Sequence, residues 1–225
     1  MPTPIEYKAP FYPGGFYHIV CKSIDGLVLF QEAADYTTFM KRFNQFTEPF
    51  FDIWGYSLLS NHTHHVSKIK SVEAITNYIF ELEEATRTVA MNSFLVDPKN
   101  ESAFDSVIER QMNSMLVSYA NYYNNKYLRK GGLFQKPFRR TEIHDESHLQ
   151  QAIIYVNANA QKHQIIHDFK EYSYSSYKAT TFNNTDYLNT EAVLEFFGGI
   201  ENFISLHENQ VSYYYSNGWP SSKLE

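Results

Sequence analysis

Two β-prone runs, 51–59 (FDIWGYSLL) and 62–69 (HTHHVSKI), are separated only by Ser60 and Asn61. So short a connection makes the two runs an antiparallel hairpin, because a parallel partner needs a crossover of a dozen or more residues. The hairpin fixes one chemical consequence. Side chains on a strand alternate between faces with a period of two, so His62 and His64 share a face and His65 takes the other. Two imidazoles on one face can converge on a metal ion. By spacing alone, surface or hydrogen-bonded core histidines are the preferred reading of an H-x-H pair, and His65 is read as structural or as a contact on the opposite face.

The rest of the chain supplies what a hairpin needs to be covered. Residues 15–22 (GFYHIVCK) are β-prone and stop at the turn signal Ser23-Ile24-Asp25-Gly26. Residues 33–47 place Tyr36, Phe39, Met40, Phe43 and Phe46 at helical spacing, a stripe suited to a core. A helix over 71–90 shows Ile75, Ile79, Leu82 and Ala85 on one face, and a polar surface insertion follows around 97–100. A long helix over 103–128 is expected to end near Gly131-Gly132. Residues 133–143 read as extended, with Pro137 placing them at an edge or an irregular start. A helix over 145–162 opens on Asp145 as N-cap. Beyond about residue 184 lies TEAVLEFF, halted by Gly198-Gly199, then a second short helix. The succession predicts an α+β fold, helices packed on an antiparallel sheet. Its division is 1–182 as the main domain and 183–225 as a small helical C-terminal extension.

The helix over 145–162 carries a second chemical signal. Leu149, Ala152, Ile153, Val156 and Ala160 form its buried stripe, and Gln151, Tyr155 and Asn159 form another, spaced by four. Tyr155 is thus expected at the edge of the buried face, one turn from Asn159. With 18 tyrosines in the chain, an ordinary boundary tyrosine is the competing reading.

Charge adds a third. The net charge of −6 counts against nucleic-acid binding, but binding depends on local patches. From 126 to 140 the chain reads KYLRKGGLFQKPFRR, with Lys126, Arg129, Lys130, Lys136, Arg139 and Arg140 and no acid. A solvated basic face explains such a run. Tyr127, Phe134 and Phe138, interleaved with the charges, add a single-strand-binding alternative, cations on phosphates and rings on bases. The run is expected to form a positive face near His62 and His64. The lone Cys21 excludes an intrachain disulfide and suits a reducing compartment. No apolar run is long enough to span a bilayer, and Met1-Pro2-Thr3-Pro4 does not open a signal peptide, so a cytoplasmic protein with no membrane partner is expected.

Several blocks, taken in order, resemble the REP-associated and insertion-sequence single-tyrosine transposases of the HUH type. They are FYHIVCKSIDGLVLF, WGYSLLSNHTHH, GGLFQKPFRR, IIYVNANAQKHQI and YSYSSYKA, together covering roughly residues 12–180. The chain departs from that pattern at Thr63, where the family favours a bulky hydrophobe, and at Ser60 and Ala160, where it has prolines. The resemblance implies a ferredoxin-like (RRM-like) sheet. It implies His62 and His64 as a metal pair completed by Asn159, Mg2+ or Mn2+ as the ion, and Tyr155 as the nucleophile. It further implies hairpin-forming single-stranded DNA as partner, cleaved and rejoined through a 5′-phosphotyrosine, and a homodimer as one form of assembly, with the tyrosine in cis or in trans. Two other functions use the same residues: a single-stranded nucleic-acid-binding module without catalysis, and a metal-dependent hydrolase with water as nucleophile.

Overall fold

The computed structural model describes residues 8–184 and 187–219. The chain's start at Met1–Pro4 and the end of the extension lie outside the described residues. The expected hairpin is present as β2 (Phe51–Leu59) and β3 (His62–Ile69). With β1 (Phe16–Lys22) and β4 (Arg139–Ile143) it forms a four-stranded sheet in the order β2-β3-β1-β4, antiparallel throughout. Read from the other edge, that is the 4-1-3-2 order of a ferredoxin-like sheet, and the fold is α+β as expected.

Two helical layers cover the two faces. On one side lie α1 (Ala33–Thr47), α3 (Val89–Val96) and α4 (Glu101–Lys126). Their Phe39, Phe43, Phe94, Met112 and Tyr119 share a core with Tyr17, Ile19 and Cys21 of β1. On the other side α5 (Glu146–Lys162) lies across β2 and β3. It is followed by α6 (Ser176–Phe182), α7 (Thr190–Phe197) and α8 (Ile200–Asn217). Val193, Phe197, Phe203, Val211 and Tyr214 of α7 and α8 join Ile153, Tyr155 and Val156 of α5 in one core. The C-terminal helices therefore complete a layer of the fold and have no separate core.

Three sequence expectations are corrected. The helix over 71–90 is α2 (Val72–Glu81), a 3-10 turn (Glu84–Thr86) and the start of α3, because Leu82 turns extended and Thr88 caps a new helix by accepting from Met91 N–H. The long helix starts earlier than expected, its first turn capped by Asn100. It also ends before the glycines, where Leu128 adopts a left-handed φ of 51°. The extended segment over 133–143 pairs as a strand only from Arg139; before that, Phe134 makes an isolated bridge to Ser23. Among the described residues no helix is long and apolar enough to cross a membrane.

Candidate active site

Alternation along β3 separates its three histidines as the period of two requires. His65 turns toward α1, where its ring stacks on Phe43 at 4.0 Å between centroids and Nε2 pairs with Thr63 Oγ1 at 3.0 Å. His62 and His64 turn toward α5, their rings edge to face at 4.9 Å. The Tyr155 ring stands 6.0 Å from that of His64, on the same face of the sheet.

His64 is held by a residue that the sequence did not single out. His18 of β1 lies diagonally across the ladder, where Val20 is the direct partner of His64. The His18 and His64 rings are nearly parallel, and His18 Nε2 lies 2.9 Å from His64 Nδ1. Burial keeps both imidazoles neutral: it pushes His18 down to about 3, with His148 adding a smaller effect. It also pushes His64 well below the ordinary histidine range, with His18, His62, His65 and His163 adding to the same direction. In the tautomer in which His64 Nδ1–H donates to His18, the lone pair of His64 lies at Nε2. That atom is buried and has no hydrogen-bond partner. His62 Nδ1 sits 2.6 Å from Asn61 Oδ1, which orients its ring from the turn itself.

Residues 155 and 159 of α5 and 163, its C-cap, step by four and so form one stripe. Its first member, Tyr155, meets His64 and its last, His163, meets His62, with 5.1 Å between the latter rings. Asn159 is therefore bracketed by the two histidine contacts. Its side chain is wholly buried, and neither amide atom has a partner. An unpaired buried amide costs a fold on the order of 1–3 kcal/mol. Orphaned polar atoms on His64 and Asn159 are the donors that a bound cation and its waters would satisfy, and an imidazole nitrogen with an amide oxygen suits Mn2+ and Mg2+ in that order. Among the described residues no three His, Cys, Asp or Glu side chains converge as a metal set, so an ion here would depend on the amide.

Tyr155 and Asn159 do not lie on an exposed or boundary stripe. Both are 0% exposed, as is every residue from Ala152 to Ala160, because the sheet covers one side of α5 and α6, α7 and α8 cover the other. Only Gln151 of the expected polar stripe is exposed. The phenol oxygen of Tyr155 accepts a 2.8 Å hydrogen bond from Lys162 Nζ, whose ammonium also lies 4.8 Å from the ring centroid. Lys162 and His163 escaped notice in the sequence although positions 155, 159, 162 and 163 repeat at helical spacing.

The basic run does not form one face. Lys126 is ion-paired at 2.6 Å to both Asp35 and Glu32 on the α1 side of the molecule. Arg140 is 2% exposed, bonded to Asp105 at 3.0 Å and Glu109 at 3.1 Å, with its guanidinium over Phe11. Both side chains are ion-paired in the layer opposite Tyr155. Arg129 bonds Asn124 and the carbonyl of Gly131, while Lys130 and Lys136 are exposed in the connection to β4. Arg139, the direct partner of Val20 and one residue out of phase with Arg140, faces the α5 side.

No family model and no curated protein sequence matches the chain. A solved structure is similar in fold, described as the REP-associated tyrosine transposase bound to a REP hairpin: the TM-score is 0.50 at 13% identity, over 79% of this chain and 85% of that one. The likeness is one of fold.

Proposed function

We propose that the chain is a single-stranded DNA strand transferase of the HUH type, with Tyr155 as nucleophile. The observation that carries this is Tyr155 on α5 set against His64 on the same sheet face, with the buried polar atoms of His64 and Asn159 left unpartnered. The similarity in fold to a hairpin-binding tyrosine transposase supports it.

His62, His64 and Asn159 would hold the cation. A divalent ion there, Mg2+ or Mn2+, supplies Lewis-acid polarisation of the scissile phosphate. The chain's own part is positional. His18 holds the ring of His64, Asn61 orients His62, and α5 holds Tyr155 beside His64. The Tyr155 oxygen bonds to phosphorus, the 3′-oxygen leaves as a hydroxyl and the 5′-phosphate remains on the tyrosine. Attack by another 3′-hydroxyl reverses this and joins strands without a nucleotide cofactor. Tyr155 lies by the histidines of its own chain, so one copy carries the whole set and a homodimer is not required for chemistry. Because Tyr155 is buried, side chains over it must move before a phosphate reaches its oxygen.

That burial is also what favours the second reading, a binding module without catalysis. Incubation of the protein with hairpin-forming single strands and Mn2+, followed by denaturing gels, separates the two. The expected result is a covalent protein–DNA adduct that maps to Tyr155 and is absent from Tyr155→Phe. Binding without cleavage supports the module, and cleavage without an adduct supports a hydrolase.

A further inference from the structure

Lys162 closes α5, seven residues beyond Tyr155. Two turns of α-helix bring positions i and i+7 to the same side, about 10 Å apart along the axis. Side chains on a helix lean toward its N-terminus, so Lys162 leans back over Tyr155. The outcome is the 2.8 Å bond from Nζ to the phenol oxygen and the ammonium over the ring. The rings of His18 and His64 stand edge to face with it at 6.2 and 6.0 Å.

We propose that Lys162 is a catalytic cation, holding the Tyr155 oxygen and stabilising the negative charge that it carries during strand transfer. This rests on the strand-transferase reading above and deepens it. In the cleavage step the phenol O–H proton passes to solvent, the oxygen forms a bond to phosphorus, and the departing 3′-oxygen takes a proton from solvent. Lys162 keeps its own proton throughout. In the rejoining step the bond between phosphorus and the Tyr155 oxygen breaks as a new 3′-oxygen bonds to phosphorus, and the same ammonium receives the departing phenolate. A preorganised cation at a site of developing charge needs no reorganisation as the reaction proceeds.

The chain's cysteine content allows a direct test. Its one native thiol, Cys21, is buried, so a cysteine introduced as Lys162→Cys can be alkylated selectively. Alkylation with 2-bromoethylamine restores a cation of lysine's reach, whereas iodoacetamide restores bulk without charge. With full-length protein, Mn2+ and a hairpin that the parent cleaves, adduct formation in Lys162→Cys is expected to slow about a hundredfold, an effect of the size seen on removing one preorganised donor. Hairpin affinity should stay within about twofold. Aminoethylation should recover most of the rate, iodoacetamide none, and Lys162→Arg should retain a large part of the parent's rate. An undiminished rate in Lys162→Cys, or equal recovery by both reagents, overturns the assignment of Lys162 while leaving Tyr155 as nucleophile. Loss of hairpin affinity that aminoethylation restores makes Lys162 a phosphate contact instead. A parent that forms no adduct with any hairpin overturns the strand-transferase reading itself, and this assignment with it.

Discussion

Asn157 of α5 and His207 of α8 meet in the core, with Asn157 Nδ2 3.0 Å from His207 Nε2. The pair is one link of a longer chain. His207 Nδ1–H donates to the Phe203 carbonyl at 2.7 Å, and Ser176 Oγ donates to Asn157 Oδ1 at 2.5 Å while accepting from Tyr56 N–H at 2.9 Å. Strand β2 and helices α6, α5 and α8 are thereby tied together two residues from Tyr155. Asn157→Ala leaves the Ser176 O–H without its acceptor and His207 Nε2 without its donor, and each orphan costs about 1–3 kcal/mol. We expect a loss of about 2–4 kcal/mol in urea unfolding. A loss under 1 kcal/mol would mean that the network contributes little.

Acid should unfold the protein through its buried histidines. Burial holds His18, His65 and His207 at about 3, and His64 is lowered too; in the unfolded chain each returns to about 6.5. Between those values the unfolded chain binds more protons than the native one. Stability from this source is therefore fully present above about pH 6.5 and is lost as pH falls toward 3. Each group adds a slope of up to about 1.4 kcal/mol per pH unit. His65→Phe, whose ring can still stack on Phe43, should reduce the slope of unfolding free energy between pH 6 and 4 by one proton's worth. An unaltered slope would show that His65 already takes up its proton in the native state.

Asn159→Ala should separate stability from activity. Because both amide atoms lack partners, removing them relieves a desolvation cost, offset by the small cavity left. The variant should melt within about 1 kcal/mol of the parent. Adduct formation should need more Mn2+ and survive in part when it is abundant. A strongly destabilised variant, or an unchanged Mn2+ requirement, would remove Asn159 from the site.

Two adjacent arginines should behave oppositely. Arg140→Ala takes the cation from Asp105 and Glu109, which are themselves partly exposed, and is expected to cost about 2 kcal/mol. Arg139→Ala, on the α5 side, should instead weaken binding to single strands and reduce the dependence of log affinity on log salt by about 0.7, one phosphate contact. Unaltered affinity and salt slope in Arg139→Ala would exclude that contact.

Local periodicity is what made much of this legible. The two-residue turn after Leu59 and the alternation of β3 place His62 and His64 together and His65 apart, and neither depends on anything distant. The bounds of α1 follow from its aromatic spacing and the N-cap of α5 from Asp145, because caps and stripes are properties of a few neighbouring residues. What the sequence could not contain was which surfaces meet. His18 stands by His64 only through the register between β1 and β3, which sheet closure sets. The edge stripe expected on α5 is buried because Tyr155 and Asn159 turn to the histidine face of the sheet while α7 and α8, much later in the chain, cover the helix's other side. The basic run looked continuous until the turn at Leu128 and the pleat of β4 sent Lys126 and Arg140 to carboxylates on one side and Arg139 to the other. A sequence determines the period of each element; which face finds a partner, and so which charge or polar atom is left for chemistry, is settled when the elements pack and compete for burial.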